Sequence, residues 1–261
     1  MLKLIKKIIN FFIVKNGYLL KKAGEHDVLR PIQPDNILSK HLKKIKANTM
    51  VTTEGLISLY DQVKYLEENK IKGDFVECGV WKGGCIGLMA LANQRYSKIP
   101  RKLHLFDSFE GIPEPDVSID GELALKQARE WSDGGTSGKM RALPGFYDTF
   151  GGIGTIQDNK KLLEDMISYP KDKINYHMGW FKDTLPLNEI ESISLLRLDG
   201  DWYESTKICL EHLVGKVVKN GFIIIDDYGT YDGCKKAVDE YFLNQYYFHR
   251  VNQDIIYIVK N

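Results

Sequence analysis

Short apolar runs, bounded by glycines and acids, alternate with longer amphipathic stretches along most of this chain. Phe75 to Gly79, Lys102 to Asp107, Ile174 to Met178, Ile193 to Leu196 and Phe222 to Ile225 read as strands. The last two are almost continuously apolar, as strands covered on both faces are. Between the runs the period changes to that of helices. Thr53 is placed to cap a helix from Glu54 to about Asn69, with Leu56, Leu59, Tyr60, Val63 and Leu66 on one face. Further helices are predicted over Cys85 to Arg95, Lys160 to Tyr169, Ser205 to Val218 (stopped by Asn220-Gly221) and Gly233 to Phe242. Tyr247 to Val251 and Asp254 to Val259 read as a closing hairpin. Strands alternating with helices predict an α/β fold with a doubly wound, mostly parallel sheet.

Two stretches break this rhythm. Residues 108–160 lack clear periodicity and are rich in glycine, so a lid insertion carrying a helix or two is expected over about 114–158. At the other end, Lys3, Lys6, Lys7 and Asn10 fall on one stripe of a broadly apolar helix spanning 1–22. That helix is expected to pack on its own domain or on a partner copy, and a homo-oligomer is the expected assembly. The alternative is peripheral membrane contact through residues 1–22. Its uninterrupted apolar run, Phe11 to Val14, is far below the ~20 residues of a membrane span, and no signal-peptide cleavage site follows. The expected organisation is an N-terminal helical extension over 1–50 and one catalytic domain over 51–261.

With 261 residues and 43% hydrophobic content, the chain can bury a substantial core. Its 36 basic and 35 acidic residues create no net field that would recruit nucleic acid. Cys78, Cys85, Cys209 and Cys234 form no C-x-x-C pair, which fits a reducing cytoplasm; Cys78 and Cys85 read as small buried fillers rather than nucleophiles. The six histidines show no metal-ligand spacing and read as surface or core. Abundant Lys, Ile and Asn suggest an AT-rich bacterial genome.

Chemistry concentrates at the strand ends. Leu198-Asp199-Gly200-Asp201 and Ile225-Asp226-Asp227-Tyr228 each follow a buried strand, where open α/β sheets bind ligands. Converging carboxylates repel unless a cation, shared protons or solvent separates them, and a bound divalent metal is the expected solution. The turn after the first strand reads Glu-x-Gly-x-x-x-Gly (Glu77, Gly79, Gly83), with Trp81 where the dinucleotide fingerprint needs a glycine. This argues against NAD. An acid beside a glycine turn suits a cationic ligand such as the amino-acid end of S-adenosylmethionine. Asp107, ending the next strand, would accept ribose hydroxyls, a feature shared with NAD proteins.

Five segments then carry a resemblance. They are Gly73 to Gly84 (GDFVECGVWKGG), Phe106 to Pro113 (FDSFEGIP), Gly179 to Pro186 (GWFKDTLP), Leu198 to Thr206 (LDGDWYEST) and Ile225 to Tyr228 (IDDY). In this order the chain resembles the macrocin O-methyltransferase family, sugar O-methyltransferases that use S-adenosylmethionine and Mg²⁺. The resemblance implies a seven-stranded class I methyltransferase sheet with its last strand antiparallel. It implies Asp199, Asp226 and Asp227 as metal ligands and Asp201 as general base. It also implies a cofactor site formed by Glu77, Cys78, Gly79, Gly83, Asp107, Ser108 and Phe109, with Gly179, Trp180 and Phe181 near the adenine. Trp202 and Tyr203 either shape the acceptor pocket or pack where their helix begins.

The expected reaction is Mg²⁺-assisted methylation of a sugar hydroxyl on a glycosylated metabolite or a surface-glycan precursor. The rivals are methylation of a catechol-like phenol, metal-dependent hydrolysis on the same sheet, and a non-catalytic interaction protein.

Overall fold

A computed structural model describes residues 18–23, 26–31, 35–132, 135–243 and 245–261. The chain divides into two compact units, Met1–Lys44 and Ile45–Asn261. In the first, β1 (Tyr18–Ala23) and β2 (His26–Pro31) form an antiparallel hairpin that sets Leu20 opposite Leu29 and Lys22 opposite Asp27. This corrects the C-terminal part of the expected helix over 1–22, and with it the description of the extension as helical: Tyr18 to Lys22 lie in a strand, and residues 1–17 are outside the described residues. Gly17 and Gly24 bracket that stretch in the sequence, and glycine is a poor helix former. Helix α1 (Asn36–Ile45) follows, with Asp35 Oδ1 accepting the amides of Ile37 and Leu38.

The large unit begins at Ile45, a few residues earlier than the expected boundary after residue 50. Its elements are α2 (Thr53–Glu68), β3 (Asp74–Cys78), α3 (Gly84–Tyr96), β4 (Leu103–Asp107), α4 (Gly121–Trp131), β5 (Ile174–Met178), β6 (Ile193–Leu198), α5 (Tyr203–Leu213), β7 (Val217–Ile225), α6 (Asp232–Phe242), β8 (His249–Arg250) and β9 (Ile256–Val259). Thr52, one residue before the expected cap, accepts the Gly55 amide at the start of α2. The predicted Lys160–Tyr169 helix starts earlier, because Thr155 and Asp158 form a capping box. It continues as a π-helical turn over Lys161–Met166.

Seven strands join in the order β5-β4-β3-β6-β7-β9-β8. The first five are parallel, β9 runs antiparallel to β7, and β8 runs antiparallel to β9. From β3 the order grows outward both ways, which opens a crevice at the carboxyl ends of β3 and β6. Side chains alternate across the strands. Val76, Phe106, Leu196, Leu198, Ile223 and Ile225 share one core with Cys209, Leu213, Cys234 and Val238 of α5 and α6. On the other face, α2 and α3 contact the sheet, and Gly84 to Asn93 of α3 are buried all round.

The lid does not hang free of this core. Ala124 and Ala128 of α4, with Leu143 and Phe146, belong to the main apolar cluster. Short bridges pair Pro113 with Ala142 and Asp116 with Ser137.

Two of the histidines form a connected pair. His104 on β4 bridges Asp74 Oδ2 and His177 Nε2, each at 3.1 Å, and Phe106 stacks on the His177 ring at 4.0 Å. Burial, then the neighbouring His104, pulls His177 down to about 4. The unfolded chain therefore binds a proton between pH 6.5 and about 4 that the folded chain refuses. Stability from this site is present above that window and is lost as pH falls through it. His177→Gln should flatten the fall in Tm between pH 6.5 and 4 relative to the wild type. Parallel Tm–pH curves would show that His177 takes up no proton on unfolding.

Candidate active site

The crevice holds a cavity of about 310 Å³, walled by the ends of β3, β4, β6 and β7, the segment Asn48–Val51 and the lid. Its floor is set by a close crossing. Asp199 N donates to Cys78 O at 2.9 Å, Gly79 N donates to Phe106 O at 2.8 Å, and Asp226 N donates to Leu198 O at 3.0 Å. Gly79 has φ +81°, and a Cβ there would stand 1.9 Å from the Asp199 carbonyl oxygen. Only glycine lets the two strand ends meet so closely.

The acidic clusters meet as expected. Asp199, Asp226 and Asp227 each bring one carboxylate oxygen to a common space in which these atoms lie within 4.8 Å of one another. Asp227 Oδ2 is buried without a hydrogen-bond partner. A buried carboxylate oxygen with no donor suits a cation, so this donor set fits an oxygen-seeking divalent ion such as Mg²⁺. Asp201 lines the same cavity from a left-handed backbone position, φ +56°. Burial and the charges of Asp199 and Asp226 push its carboxyl well above the usual range.

A residue the sequence reading passed over lies among these acids. Arg197, on β6 beside Glu77 on β3, places Nη1 at 2.8 Å from Glu77 and 2.9 Å from Asp199, and Nη2 at 2.8 Å from Asp226. Burial raises Glu77 to about 8, against the lowering pull of Arg197. The signal was available: a lone arginine inside Ile-Ser-Leu-Leu-Arg-Leu must find buried anionic partners.

Asp107 closes the glycine turn. Its Oδ2 accepts the amides of Val80 (2.8 Å) and Trp81 (3.1 Å), and Oδ1 accepts that of Phe109 (2.7 Å). Of the roughly four acceptor positions on a carboxylate, backbone takes three, which leaves about one for a ligand. Burial raises its pKa, and these three amides oppose the rise. The Ser108 hydroxyl donates to Gly111 O at 2.9 Å, so Ser108 reaches the cavity while tied into its own loop.

Glu77, Gly79, Asp107, Ser108, Trp180 and Phe181 all line the cavity. Cys78, Gly83, Phe109 and Gly179 do not. Cys78 points to the opposite face of the sheet, into the apolar core, because it neighbours Glu77 on one strand. Gly83 caps α3 against Asn159, Phe109 holds a left-handed conformation with its amide on Asp107 Oδ1, and Gly179 serves by backbone, its amide donating to Asp107 O.

The lid is fastened to both halves of the site. Trp202 Nε1 donates to Pro113 O at 2.8 Å, and Asp120 Oδ1 accepts the Tyr203 amide at 2.8 Å. Trp202 is thus buried packing that holds the lid. On the other side, Trp81 Nε1 donates to Gly152 O at 3.1 Å and Lys82 Nζ to Gly151 O at 2.7 Å. Trp131, Phe146, Tyr147 and Phe150 of the lid then form an aromatic wall over the acids. These cavity residues were not singled out from the sequence, because the lid lacks a periodic pattern.

A sequence profile described as macrocin O-methyltransferase (TylF) matches residues 39–134 and 162–259, skipping the second half of the lid. The chain is 33% identical over 198 residues to the 8-demethyl-8-(2,3-dimethoxy-alpha-L-rhamnosyl)-tetracenomycin-C 4'-O-methyltransferase of Streptomyces olivaceus, covering 75% of this chain and 67% of that protein. It is 35% identical over 200 residues to the demethyldecarbamoylnovobiocin O-methyltransferase of Streptomyces niveus, covering 75% and 68%. The solved structure of the O-methyltransferase NovP superposes with a TM-score of 0.66 at 29% identity, covering 82% of each chain. The calicheamicin methyltransferase CalS11 shares the fold at 17% identity, with a TM-score of 0.57 and coverage of 92% and 99%. On the profile and these identities, the chain belongs to the macrocin O-methyltransferase family and is an O-methyltransferase.

Proposed function

We propose that the protein methylates a hydroxyl of a sugar carried by a glycosylated small molecule, with S-adenosylmethionine as donor and Mg²⁺ as resident cation. The observation that carries this reading is the convergence of Asp199, Asp226 and Asp227 beside the Glu77–Gly79 turn in one cavity.

Asp199, Asp226 and Asp227 would hold the ion. When bound, Mg²⁺ lowers the pKa of a coordinated hydroxyl and steadies the alkoxide that develops from it. Asp201, on the same cavity wall, accepts the hydroxyl proton on a carboxylate oxygen. The Glu77 to Gly79 turn receives the donor's amino-acid end, and Asp107 offers its remaining acceptor position to a ribose hydroxyl. The aromatic lid covers the site and excludes water, and its fastening to residues 81–82 and 202–203 aligns the two reactants.

The cavity also speaks to the acceptor. Its lining includes six carboxylates, and Arg197 is the one basic residue among the described lining residues, already shared by three acids. A nucleotide-sugar pyrophosphate would find no free cationic side chain there. A neutral glycoside finds aromatic faces for its sugar and its apolar aglycone. The name of the Streptomyces olivaceus relative, a methyltransferase of a rhamnosyl-tetracenomycin, agrees with that preference.

The test is calorimetric titration of S-adenosylhomocysteine, followed by methyl-transfer assays on neutral glycosides, nucleotide sugars and a catechol. Micromolar binding and Mg²⁺-restored, chelator-sensitive transfer to a glycoside are expected. Failure to bind S-adenosylhomocysteine sinks the donor assignment and revives hydrolysis, and a catechol preference sinks the sugar assignment.

Asp107→Ala tests the donor side. Removing the carboxylate frees three turn amides and the ribose contact together, so S-adenosylhomocysteine should bind at least ~10-fold more weakly, by the ~1.4 kcal/mol or more that a charged hydrogen bond supplies. Unchanged affinity by titration would remove Asp107 from that role.

A further inference from the structure

Arg197 occupies the fifth position of a six-residue strand that is buried throughout, and its side chain is 3% exposed. A buried guanidinium stays charged at any working pH, so it must be matched by anions. It is matched by three: Glu77 from the cofactor turn, and Asp199 and Asp226 from the acidic clusters. The last two are also two of the three carboxylates gathered at the ion site. Arg197 takes Oδ2 of Asp199 and Oδ1 of Asp226, one oxygen from each.

We propose that Arg197 is a positioning residue that competes with the divalent cation for Asp199 and Asp226, keeping each a one-oxygen ligand and the ion weakly held. This rests on the metal reading above. The physical consequences are two. A fixed positive charge beside the site opposes a second cation, so the ion exchanges readily. Carboxylates held to one oxygen each leave coordination positions open for an acceptor, and they disfavour Ca²⁺, which takes 6–8 oxygens and often two from one carboxylate. Glu77 Oε1 accepts from Arg197 Nη1 at 2.8 Å, which ties the guanidinium to the cofactor turn as well as to the two aspartates.

The experiment is direct titration of Mg²⁺ and Ca²⁺ by calorimetry, without substrate or turnover, into wild type, Asp227→Asn, Glu77→Gln, Arg197→Lys and the double variant Glu77→Gln/Arg197→Met. The double variant is used because Arg197→Met alone strands a buried Glu77, whereas a buried pair replaced by neutral groups of similar size is tolerated. Folding of each variant is checked by its thermal transition. Expected are a saturable site in wild type that Asp227→Asn loses, and Mg²⁺ binding at least tenfold tighter in the double variant. Ca²⁺ should gain by a larger factor than Mg²⁺, Arg197→Lys should stay near wild type, and Glu77→Gln alone should not tighten binding. A wild-type site whose affinity does not tighten in the double variant overturns the role of Arg197 and leaves the metal reading intact. No saturable site in wild type overturns both.

Discussion

Asp199→Asn should abolish methyl transfer, lowering kcat by about 10²–10⁴-fold, while S-adenosylhomocysteine affinity is largely retained. The magnitude is the several kcal/mol that a metal ion supplies to a developing alkoxide. The substitution is nearly isosteric, and the backbone contacts of residue 199 with Cys78 and Gly79 do not depend on its side chain. What changes is charge. An ion ligand becomes neutral, and an amide NH₂ can turn toward Arg197 where a carboxylate oxygen sat at 2.9 Å. The donor-side residues Glu77 on β3, Gly79 just after it and Asp107 at the end of β4 lie outside the substitution. The check is a pair of measurements on one preparation, single-turnover transfer with saturating Mg²⁺ and calorimetric titration of S-adenosylhomocysteine. Equal loss in both would mean that Asp199 holds the cofactor turn rather than the ion.

Gly79→Ala should cost about 3 kcal/mol of stability and lower Tm by roughly 6–12 °C, with S-adenosylhomocysteine binding lost as well. Two causes add. Alanine disfavours φ +81°, and its Cβ would press to 1.9 Å from a backbone carbonyl that cannot swing aside as a side-chain tip could. Relief requires β3 and β6 to part at the switch point, which dislodges Asp199 and opens the turn around Asp107 at once. Scanning calorimetry reads the effect directly. A shift below about 2 °C would show that the crossing relaxes cheaply, and that the glycine serves the ligand's approach rather than the fold.

Much of this could be read before folding because it is local. The apolar runs that end in Asp107, Asp199 and Asp226 are short enough for strand pattern and turn chemistry to fix their type, and in a doubly wound sheet their carboxyl ends must share one edge. The family motifs lie at those same ends, so acids, glycine turn and resemblance pointed to one place. Cys78 shows the limit. It sits in the most telling motif, yet strand alternation turns its side chain into the core while Glu77 beside it faces Arg197. The first strand pair, Tyr18–Ala23 with His26–Pro31, was missed for a related reason: a mixed apolar and basic run suits helix or strand until a pairing partner is found.

By itself the sequence determined the alternating α/β pattern, the acids at the strand ends and the glycine turn, because each depends on residues within about one element of one another. Only the tertiary structure decided which charges meet. Arg197 and Glu77 are 120 positions apart and touch only through the register of β6 on β3. Likewise the lid has no periodic signal, and its place over the acids is set by contacts between distant segments, Trp81 with Gly152 and Trp202 with Pro113. Local propensity cannot encode such pairings, since they depend on where the rest of the chain has already placed its strands.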